Sequence, residues 1–352
     1  MSKQIKLGIV GLGVIGQKHL EAASGMPHIA VEAVADLNAA IVERTAERYA
    51  VPRRYTDAEA LIRDPGIEAV LLAVPTRGRT ELALAAMAAG KHVLLEKPIG
   101  MNAGEVKRLL AAQGNVTAGC CSSRFRFYES ADCIARFVAT GQLGDLRVIR
   151  SRGVRAVGKA PSSPPPVWRL NRALNGGGVM VNWGCYDLDY VFGLTGWTLK
   201  PLSALAAVWL PAPHLSAHAA PDSDAESHVA ASIVCANNVL IQLERGEFVA
   251  GPTEEVTELI GTRGTLTFTM MPAEKKIVFT GSDPERGAYS EVIWTGSEQT
   301  GNLHAGPVSD FARALLDGRE PATSLKQACL IQAVTDAIYD SASTGRCADI
   351  AE

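Results

Sequence analysis

The first 120 residues alternate short, continuous apolar runs with segments in which apolar and polar positions are mixed. A short continuous apolar run indicates a strand buried on both faces, and the mixed segments between the runs indicate helices. Strands and helices that alternate in this way predict a parallel, doubly wound sheet. The predicted strands are residues 5–10, 31–35, 69–74, 92–95 and 116–120, and the predicted helices are residues 15–24, 39–49, 80–89 and 102–113.

The pattern changes after residue 120. A helical segment at residues 131–140 is followed by a series of strand-like segments, several of them separated by short turns that are typical of antiparallel hairpins. Two helical segments, residues 308–317 and 325–343, follow. The predicted fold class is α/β, with a doubly wound domain at residues 1–121 and an α+β domain at residues 122–352. The last helix is a candidate to pack back on the first domain.

Composition argues against several classes of protein. The 352 residues carry 34 Lys and Arg against 37 Asp and Glu, and a net charge of −3 argues against a nucleic-acid binder. A hydrophobic content of 47% argues against disorder. The seven cysteines are scattered without a C-x-x-C pair, which favours a reduced, cytoplasmic compartment over a disulfide framework. We expect neither a secretory signal nor a membrane span.

A glycine-rich loop, Gly11-Leu-Gly13-Val-Ile-Gly16, follows the first strand and begins the first helix. This is the context in which G-x-G-x-x-G binds a dinucleotide. Gly11 allows the tight turn, Gly13 lets a pyrophosphate approach the backbone, and Gly16 lets the helix pack on the strand. The N–H groups at the helix start favour negative phosphates. The residues predicted to bind the cofactor here are Gly11, Gly13, Val14, Ile15 and Gly16.

Asp36 ends the second predicted strand, 20 residues after Gly16, where an acidic residue of a dinucleotide site is expected. Its carboxylate is suited to accept hydrogen bonds from the adenosine ribose and to repel a 2′-phosphate. The sequence therefore predicts NAD in preference to NADP, although a nearby Arg or Lys can offset one carboxylate and leaves NADP open.

A Glu96-Lys97-Pro98 turn follows residues 92–95, at the edge of the predicted sheet where ligands of such folds bind. Lys97 is suited to donate hydrogen bonds to a substrate oxygen and to exchange a proton with it if the amine is partly removed from water. Pro98 restricts Lys97 to an extended conformation. The alternative is an ordinary solvated loop lysine.

Together these motifs resemble those of the Gfo/Idh/MocA oxidoreductase family, and the similarity extends over essentially the whole chain. The resemblance implies a Rossmann domain, an open, mainly antiparallel second sheet that forms homodimer or homotetramer interfaces, and NAD(P)-dependent oxidation or reduction of sugars and polyols. It also implies cofactor contacts from Val74, Pro75, Thr76, Glu96 and Lys97. The segments that carry it are residues 11–19, 36, 74–76, 90–98, 123–125, 141–144, 176–189, 261–266 and 338–346.

The sequence departs from the family pattern in the segment that the resemblance places at the substrate. Asn182 and Tyr186 stand where Asp and His are common, and Asp189 follows. Asn182 is suited only to hydrogen bonding, and its spacing from Tyr186 would place both side chains on one helix face. We expect Tyr186 to exchange the substrate proton together with Lys97, unless its ring packs into the core. Asp189 would anchor the helix or bind substrate.

Further substrate contacts are expected from side chains near the same loops. Arg79 stands where the family often has His, and it would either clamp an acidic group of the substrate or be solvated at the start of a helix. Arg124, Trp168 and Arg169 lie where the family's cofactor and substrate loops meet, and Trp168 would stack on a sugar or be buried. The histidines at positions 214, 218 and 228 lack a firm ligand spacing, so no metal site is predicted.

The sequence thus predicts an NAD(P)-dependent dehydrogenase or reductase of a sugar, sugar derivative or cyclitol. Two alternatives stay open at this point. One is a sugar-modifying lyase or glycosidase in which bound NAD is reduced and reoxidised without net redox change. The other is an NAD-sensing regulatory protein without catalysis.

Overall fold

A computed structural model describes residues 3–163 and 165–351. Its internal contacts divide the chain into two compact units. The first unit comprises Met1–Arg124 and Gly301–Gln332, and the second comprises Phe125–Thr300 and Ala333–Glu352. Residues 301–332 therefore belong to the first unit, although they follow most of the second unit's strands in sequence. The boundary between residues 121 and 122 stays a prediction.

The first unit contains a six-stranded parallel sheet in the order β3-β2-β1-β4-β5-β6, which confirms the predicted doubly wound fold. This order reverses between β1 and β4, where dinucleotides bind in such folds. The strands are β1 Ile5–Val10, β2 Ile29–Ala35, β3 Arg53–Tyr55, β4 Ala69–Leu72, β5 His92–Leu95 and β6 Ala118–Cys120. The helices are α1 Val14–Ser24, α2 Ala39–Tyr49, α3 Ala58–Arg63, α4 Arg79–Ala88, α5 Ala103–Ala112 and α9 Ala305–Asp317.

Two of these elements, β3 and α3, were not expected from the sequence. Strand β3 is three residues long with two arginines, so it lacks the apolar run that marks the other strands. Asp57 caps α3 by accepting hydrogen bonds from the N–H groups of Glu59 and Ala60, a signal that the sequence does contain. The turn with Lys97 consequently follows the fifth strand of the chain rather than the fourth.

Apolar side chains fill both faces of the parallel sheet. One face packs on α3, α4, α5 and the start of the long helix α10 Leu325–Thr344. The other face packs on α1, α2 and α9. This apolar cluster includes Val308, Phe311 and Ala312 of α9 together with Leu7, Ile9 and Leu94 of the strands. Burial on both faces explains why the strands are continuously apolar.

A buried ionic network surrounds Glu96, directly after β5. The carboxylate Oε1 hydrogen-bonds with His19 Nε2 of α1 at 2.7 Å and accepts a hydrogen bond from Arg124 Nη2 at 2.8 Å. The ring of His304, the residue before α9, meets the His19 ring edge-on at 4.7 Å. Burial raises the pKa of the Glu96 carboxyl, but Arg124 and His19 lower it by more, so its pKa lies well below the usual value. Three separate segments therefore meet at one carboxylate.

The second unit contains a nine-stranded, mixed and mainly antiparallel sheet in the order β14-β13-β12-β11-β7-β10-β9-β8-β15. Strands β7 and β10 form its parallel pair. The strands are β7 Leu146–Ala156, β8 Pro201–Trp209, β9 His228–Cys235, β10 Val239–Val249, β11 Glu254–Gly261, β12 Gly264–Phe268, β13 Glu274–Asp283, β14 Gly287–Ser297 and β15 Ala348–Asp349. Its further helices are α6 Glu129–Ala139, α7 Arg172–Asn175 and α8 Cys185–Leu194.

An ion pair joins α8 to the covered face of this sheet. Arg245 of β10 donates two hydrogen bonds to Asp187, and its Nε lies 2.8 Å from Asp187 Oδ2. Gly153, opposite Arg245 on β7, leaves room for the guanidinium, because a Cβ there would lie 2.1 Å from Arg245 Nη1. Breaking such a buried pair costs about 3–5 kcal/mol, so the pair fixes α8 against β10.

Within the described residues, none of the helices is both long enough and apolar enough to cross a membrane.

His304 gives stability a predictable pH dependence. Burial, with Arg124 and His19 nearby, lowers the pKa of His304 to about 3. Because the unfolded imidazole has a pKa of about 6.5, the unfolded chain alone takes up this proton as the pH falls below 6.5. The native state therefore loses up to about 1.4 kcal/mol per pH unit in that window.

We expect His304→Gln to flatten the fall in unfolding free energy between pH 6.5 and pH 5, measured by urea denaturation. This window lies above the range in which the Glu96 carboxyl contributes. The matched control is His214→Gln at an exposed position. An unchanged slope in His304→Gln would contradict the neutral state of the buried ring.

Candidate active site

The three glycines of the loop after β1 differ in what a side chain would meet at each position. Gly11 has φ +89°, and a Cβ there would lie 2.8 Å from the Ala73 carbonyl oxygen. A Cβ on Gly16 would lie 1.8 Å from the Gly11 carbonyl oxygen. Gly13, the N-cap of α1, would place a Cβ in open space. The fold itself requires Gly11 and Gly16, whereas Gly13 leaves an open cradle at the helix start that suits a pyrophosphate.

Asp36 supports this loop from the end of β2. Its Oδ2 accepts a hydrogen bond from the Leu12 N–H at 2.8 Å, and its Oδ1 accepts one from the Asn38 N–H at 2.9 Å. Each carboxylate oxygen has two lone pairs, so both can still accept from a ribose. Leu37 is 92% exposed, and Val14 is 76% exposed. The sequence analysis did not single out Leu37, whose exposed apolar side chain beside Asp36 would suit contact with an adenine.

The turn after β4 corrects the interpretation of Arg79. This side chain is buried, and all three guanidinium nitrogens donate to backbone carbonyls. The acceptors are Val74 at 3.1 Å from Nε, Glu96 at 2.6 Å from Nη1, and Pro98. Neither the clamp on an acidic substrate group nor the solvated arginine agrees with this geometry. Arg79 instead fixes the turn after β4 to the turn after β5, while Pro75 stays exposed, Val74 is half-buried and Thr76 is buried.

Glu96 and Lys97 have separate positions in the turn after β5. The Glu96 side chain is enclosed by His19 and Arg124, and its Oε2 accepts a hydrogen bond from the Lys97 N–H at 2.9 Å. The Glu96 and Arg124 side chains are thus engaged in an internal ion pair, and the contacts expected of Glu96 with the cofactor and of Arg124 with the substrate stay predictions. Lys97 is half-buried, and its peptide bond to Pro98 is cis.

His19, Glu96 and His304 offer three metal-ligand atoms within 4.8 Å of one another. A cation there would compete with Arg124, whose guanidinium already neutralises the Glu96 carboxylate at 2.8 Å. The local charge therefore suits a hydrogen-bonded network better than a metal ion. Of the histidines at 214, 218 and 228, His218 packs on the Phe248 ring and His228 pairs with Glu244.

In the second unit, Asn182 and Tyr186 lie across a change of helix type. Residues Met180–Gly184 form a π-helical turn that continues into α8, so the two residues do not share one regular α-helix as expected. Single π-turns of this kind are frequent at functional sites. Asn182 is half-buried. The Tyr186 ring is buried and makes edge contacts with Phe125 at 5.2 Å and Trp183 at 5.8 Å.

Asp189 is fully buried in α8, and its Oδ1 accepts a hydrogen bond from Arg126 Nε at 2.6 Å. Asp189 is thus engaged by Arg126, and its contact with the substrate stays a prediction. The structure supports the other interpretation, in which Asp189 anchors the helix.

In the segment before α7, Trp168 is exposed to solvent, whereas Arg169 is paired with a carboxylate. Trp168 is 44% exposed, whereas Arg169 Nη2 donates to Glu247 Oε1 at 2.5 Å. The same oxygen accepts a hydrogen bond from Trp183 Nε1 at 3.1 Å. Arg155 lies over the Trp183 ring, with its Cζ 5.1 Å from the ring centroid. The sequence analysis missed Trp183 and Glu247, and only the position of Trp183 beside Asn182 could have drawn attention to it.

Comparison with family models matches both parts of the chain. Residues 5–117 match the model described as "Oxidoreductase family, NAD-binding Rossmann fold". Residues 133–267 match the GFO/IDH/MocA C-terminal domain.

Individual relatives extend this likeness over the full length. The chain is 22% identical to levoglucosan dehydrogenase of Pseudarthrobacter phenanthrenivorans, covering 99% of this chain and 98% of the relative. It is 28% identical over 194 residues to myo-inositol 2-dehydrogenase of Thermotoga maritima, about half of each chain. A solved structure of levoglucosan dehydrogenase with NADH and levoglucosan superposes with a TM-score of 0.85 at 21% identity, covering 99% of this chain and 100% of that one. The resemblance inferred from the motifs is confirmed: the chain belongs to the Gfo/Idh/MocA family of oxidoreductases.

Proposed function

We propose that the protein is a dehydrogenase that transfers a hydride between NAD and the hydroxyl-bearing carbon of a sugar, sugar derivative or cyclitol. The observation that carries this proposal is the carboxyl edge of the parallel sheet. There the open cradle at Gly13, the Asp36 carboxylate and the turn with Lys97 follow strands of one sheet. Relatives whose names specify levoglucosan and myo-inositol dehydrogenation support the substrate class.

The residues present fit the nicotinamide dinucleotide that the family implies. The loop at Gly11, Gly13 and Gly16 would hold the pyrophosphate, and Asp36 would accept hydrogen bonds from the adenosine ribose. A 2′-phosphate would stand against the Asp36 carboxylate, so we propose NAD rather than NADP. When bound, the nicotinamide supplies the hydride acceptor.

Lys97 is the proposed catalytic residue of the first unit. Oxidation of a carbinol removes a hydride from carbon and a proton from oxygen, so a group must take the proton as the carbonyl forms. Arg79 and Glu96 fix the backbone on both sides of Lys97, and this fixes the position from which its side chain extends. An oriented amine beside the reacting oxygen would lower the barrier by general base catalysis.

The second unit would supply the substrate contacts. We retain Asn182, Trp168 and Arg169 as proposed contacts, because each is at least partly exposed. Tyr186 remains a proposed proton-exchanging residue together with Lys97, and its ring is packed by Phe125 and Trp183. No observation on the described residues favours the lyase, glycosidase or sensor alternatives.

We also propose a cytoplasmic homodimer or homotetramer that forms through the open face of the nine-stranded sheet. This face carries exposed Leu205, Trp209 and Val234 and a shallow depression of about 510 Å³ lined by β7, β8, β9 and β10. Apolar side chains on an open sheet face favour association with a second copy.

We expect sedimentation equilibrium to give a multiple of the 37.2 kDa chain mass, and Trp209→Glu to shift the measured mass toward that of the monomer. A monomeric wild-type protein would contradict this assembly.

Lys97→Ala should lower kcat/KM by about 10²–10⁴-fold, because the proton then has no positioned acceptor. NADH affinity should stay close to the wild-type value, since the glycine loop and Asp36 are untouched. A spectrophotometric assay of NADH formation over monosaccharides, sugar acids and inositols identifies the substrate, and NADH titration measures binding. The control is Lys200→Ala at an exposed position. Turnover like that of the wild-type protein in Lys97→Ala would refute the role.

Gly13→Ala should weaken NADH binding by about tenfold or more, because its Cβ enters the space proposed for the pyrophosphate. The free energy of unfolding should not fall, since that Cβ meets no protein atom within 4 Å. Gly25→Ala is a matched control: it lies at the other end of α1, and its Cβ also has open space. Equal NADH affinity in the two variants would contradict the cradle.

A further inference from the structure

Glu247 lies where strand β10 breaks its regular pairing. The register with β7 shifts between Gly246 and Val249, and the next residue, Phe248, has φ +60°. A bulky side chain rarely adopts a left-handed conformation, and such positions cluster at functional sites. The backbone N–H of Glu247 donates to the Ser227 carbonyl at 2.8 Å, so the break is held by neighbouring structure. This break determines where the Glu247 carboxylate lies.

The carboxylate of β10 holds two segments that lie 78 and 64 residues earlier in the chain. Its Oε1 accepts hydrogen bonds from Arg169 Nη2 at 2.5 Å and from Trp183 Nε1 at 3.1 Å. Glu247 is only 6% exposed, so these bonds replace most of its hydration. A buried carboxylate that accepts charge-assisted bonds holds its partners more strongly than a neutral amide would.

Both partners lie beside side chains already proposed to meet the substrate. Arg169 follows Trp168 in the sequence. Trp183 follows Asn182, and its ring centroid lies 5.8 Å from that of Tyr186. The Arg169 guanidinium also covers the Phe248 ring, with its Cζ 5.8 Å from the centroid. Glu247 is thus the common support of the π-helical turn and of the segment before α7.

We propose that Glu247 is a positioning residue for substrate recognition: it holds Arg169 and Trp183 in the arrangement that binds the polyol. The proposal rests on the proposed dehydrogenase function. The side chains that Glu247 holds, Arg169 and Trp183, belong to the second unit, so we expect it to act on binding and selectivity rather than on the chemical step. The ligand that it serves is a neutral or anionic polyol, which arginine and indole groups recognise by hydrogen bonding and stacking.

The first experiment uses steady-state kinetics of the full-length protein with its best polyol. In Glu247→Gln the KM for the polyol should rise about 10- to 100-fold, the cost of weakening a hydrogen bond to a charged group. The kcat should stay within about threefold, and NADH affinity should not change, as expected for lost uniform binding. A general packing defect would instead lower kcat, NADH affinity and stability together. Glu59→Gln, which removes an exposed pair with Arg63, is the control.

A double-mutant cycle then tests the route through Trp183. Trp183→Phe keeps a ring but removes the indole N–H, and it should raise the KM in the same way. If Glu247 acts through this bond, the double variant should raise the KM less than the product of the two single effects. An unchanged KM in Glu247→Gln, or strictly multiplicative effects in the cycle, would overturn the proposed role.

Hydrogen exchange separates this proposal from the proposed function. Glu247→Gln should speed amide exchange in peptides covering residues 165–172, whether or not any polyol is turned over. A wild-type protein that oxidises no polyol would overturn the dehydrogenase assignment alone, and the exchange result would still decide the support of this segment. Exchange in Glu247→Gln that equals the wild-type rate would overturn the positioning role.

Discussion

The fixation of the turn after β5 by buried cations is the constraint on which the first unit's site depends. Arg79 binds the carbonyls of Glu96 and Pro98, while Arg124 binds the Glu96 side chain. A buried carboxylate is costly unless it is paired and hydrogen-bonded, and Glu96 meets both conditions. Because the same carboxylate accepts from the Lys97 N–H, the network that stabilises the fold also determines where Lys97 stands. Glu96 therefore stabilises the turn, and the adjacent Lys97 is left with the proposed chemical role.

The parts of this arrangement that the sequence predicts are those encoded by neighbours in the chain. Apolar runs predict the parallel strands, and the glycine spacing with Asp36 predicts the cofactor loop, because both patterns follow from local backbone requirements. Strand β3 could not be predicted in this way, because it is short and charged and is defined by its pairing with β2. The contacts of Arg79 could not be predicted either. Two of its three carbonyl acceptors are 17 and 19 residues away, so only the folded chain shows that its guanidinium is already used.

In the second unit, too, the contacts that could not be predicted join residues that are distant in sequence. Its helix α8 is almost entirely buried, and its two acidic residues are each matched by an arginine: Asp187 by Arg245, and Asp189 by Arg126. A spacing argument cannot distinguish a carboxylate that faces substrate from one that neutralises an arginine, because both produce the same pattern in sequence. The π-helical turn is equally invisible, since no residue type specifies it uniquely.

The contrast between buried, paired side chains and exposed side chains indicates where substrate selectivity can change without loss of the fold. Replacing Asp187 or Asp189 would remove a buried carboxylate that pairs with an arginine, so these positions are constrained by stability. Trp168 and Asn182 are at least partly exposed, and their neighbours in sequence are held by Glu247. Side chains on a supported but exposed segment can vary in shape and polarity while the support stays constant. Selectivity among polyols is therefore expected to reside in the π-helical turn and the segment before α7, and the cofactor loop should be indifferent to it.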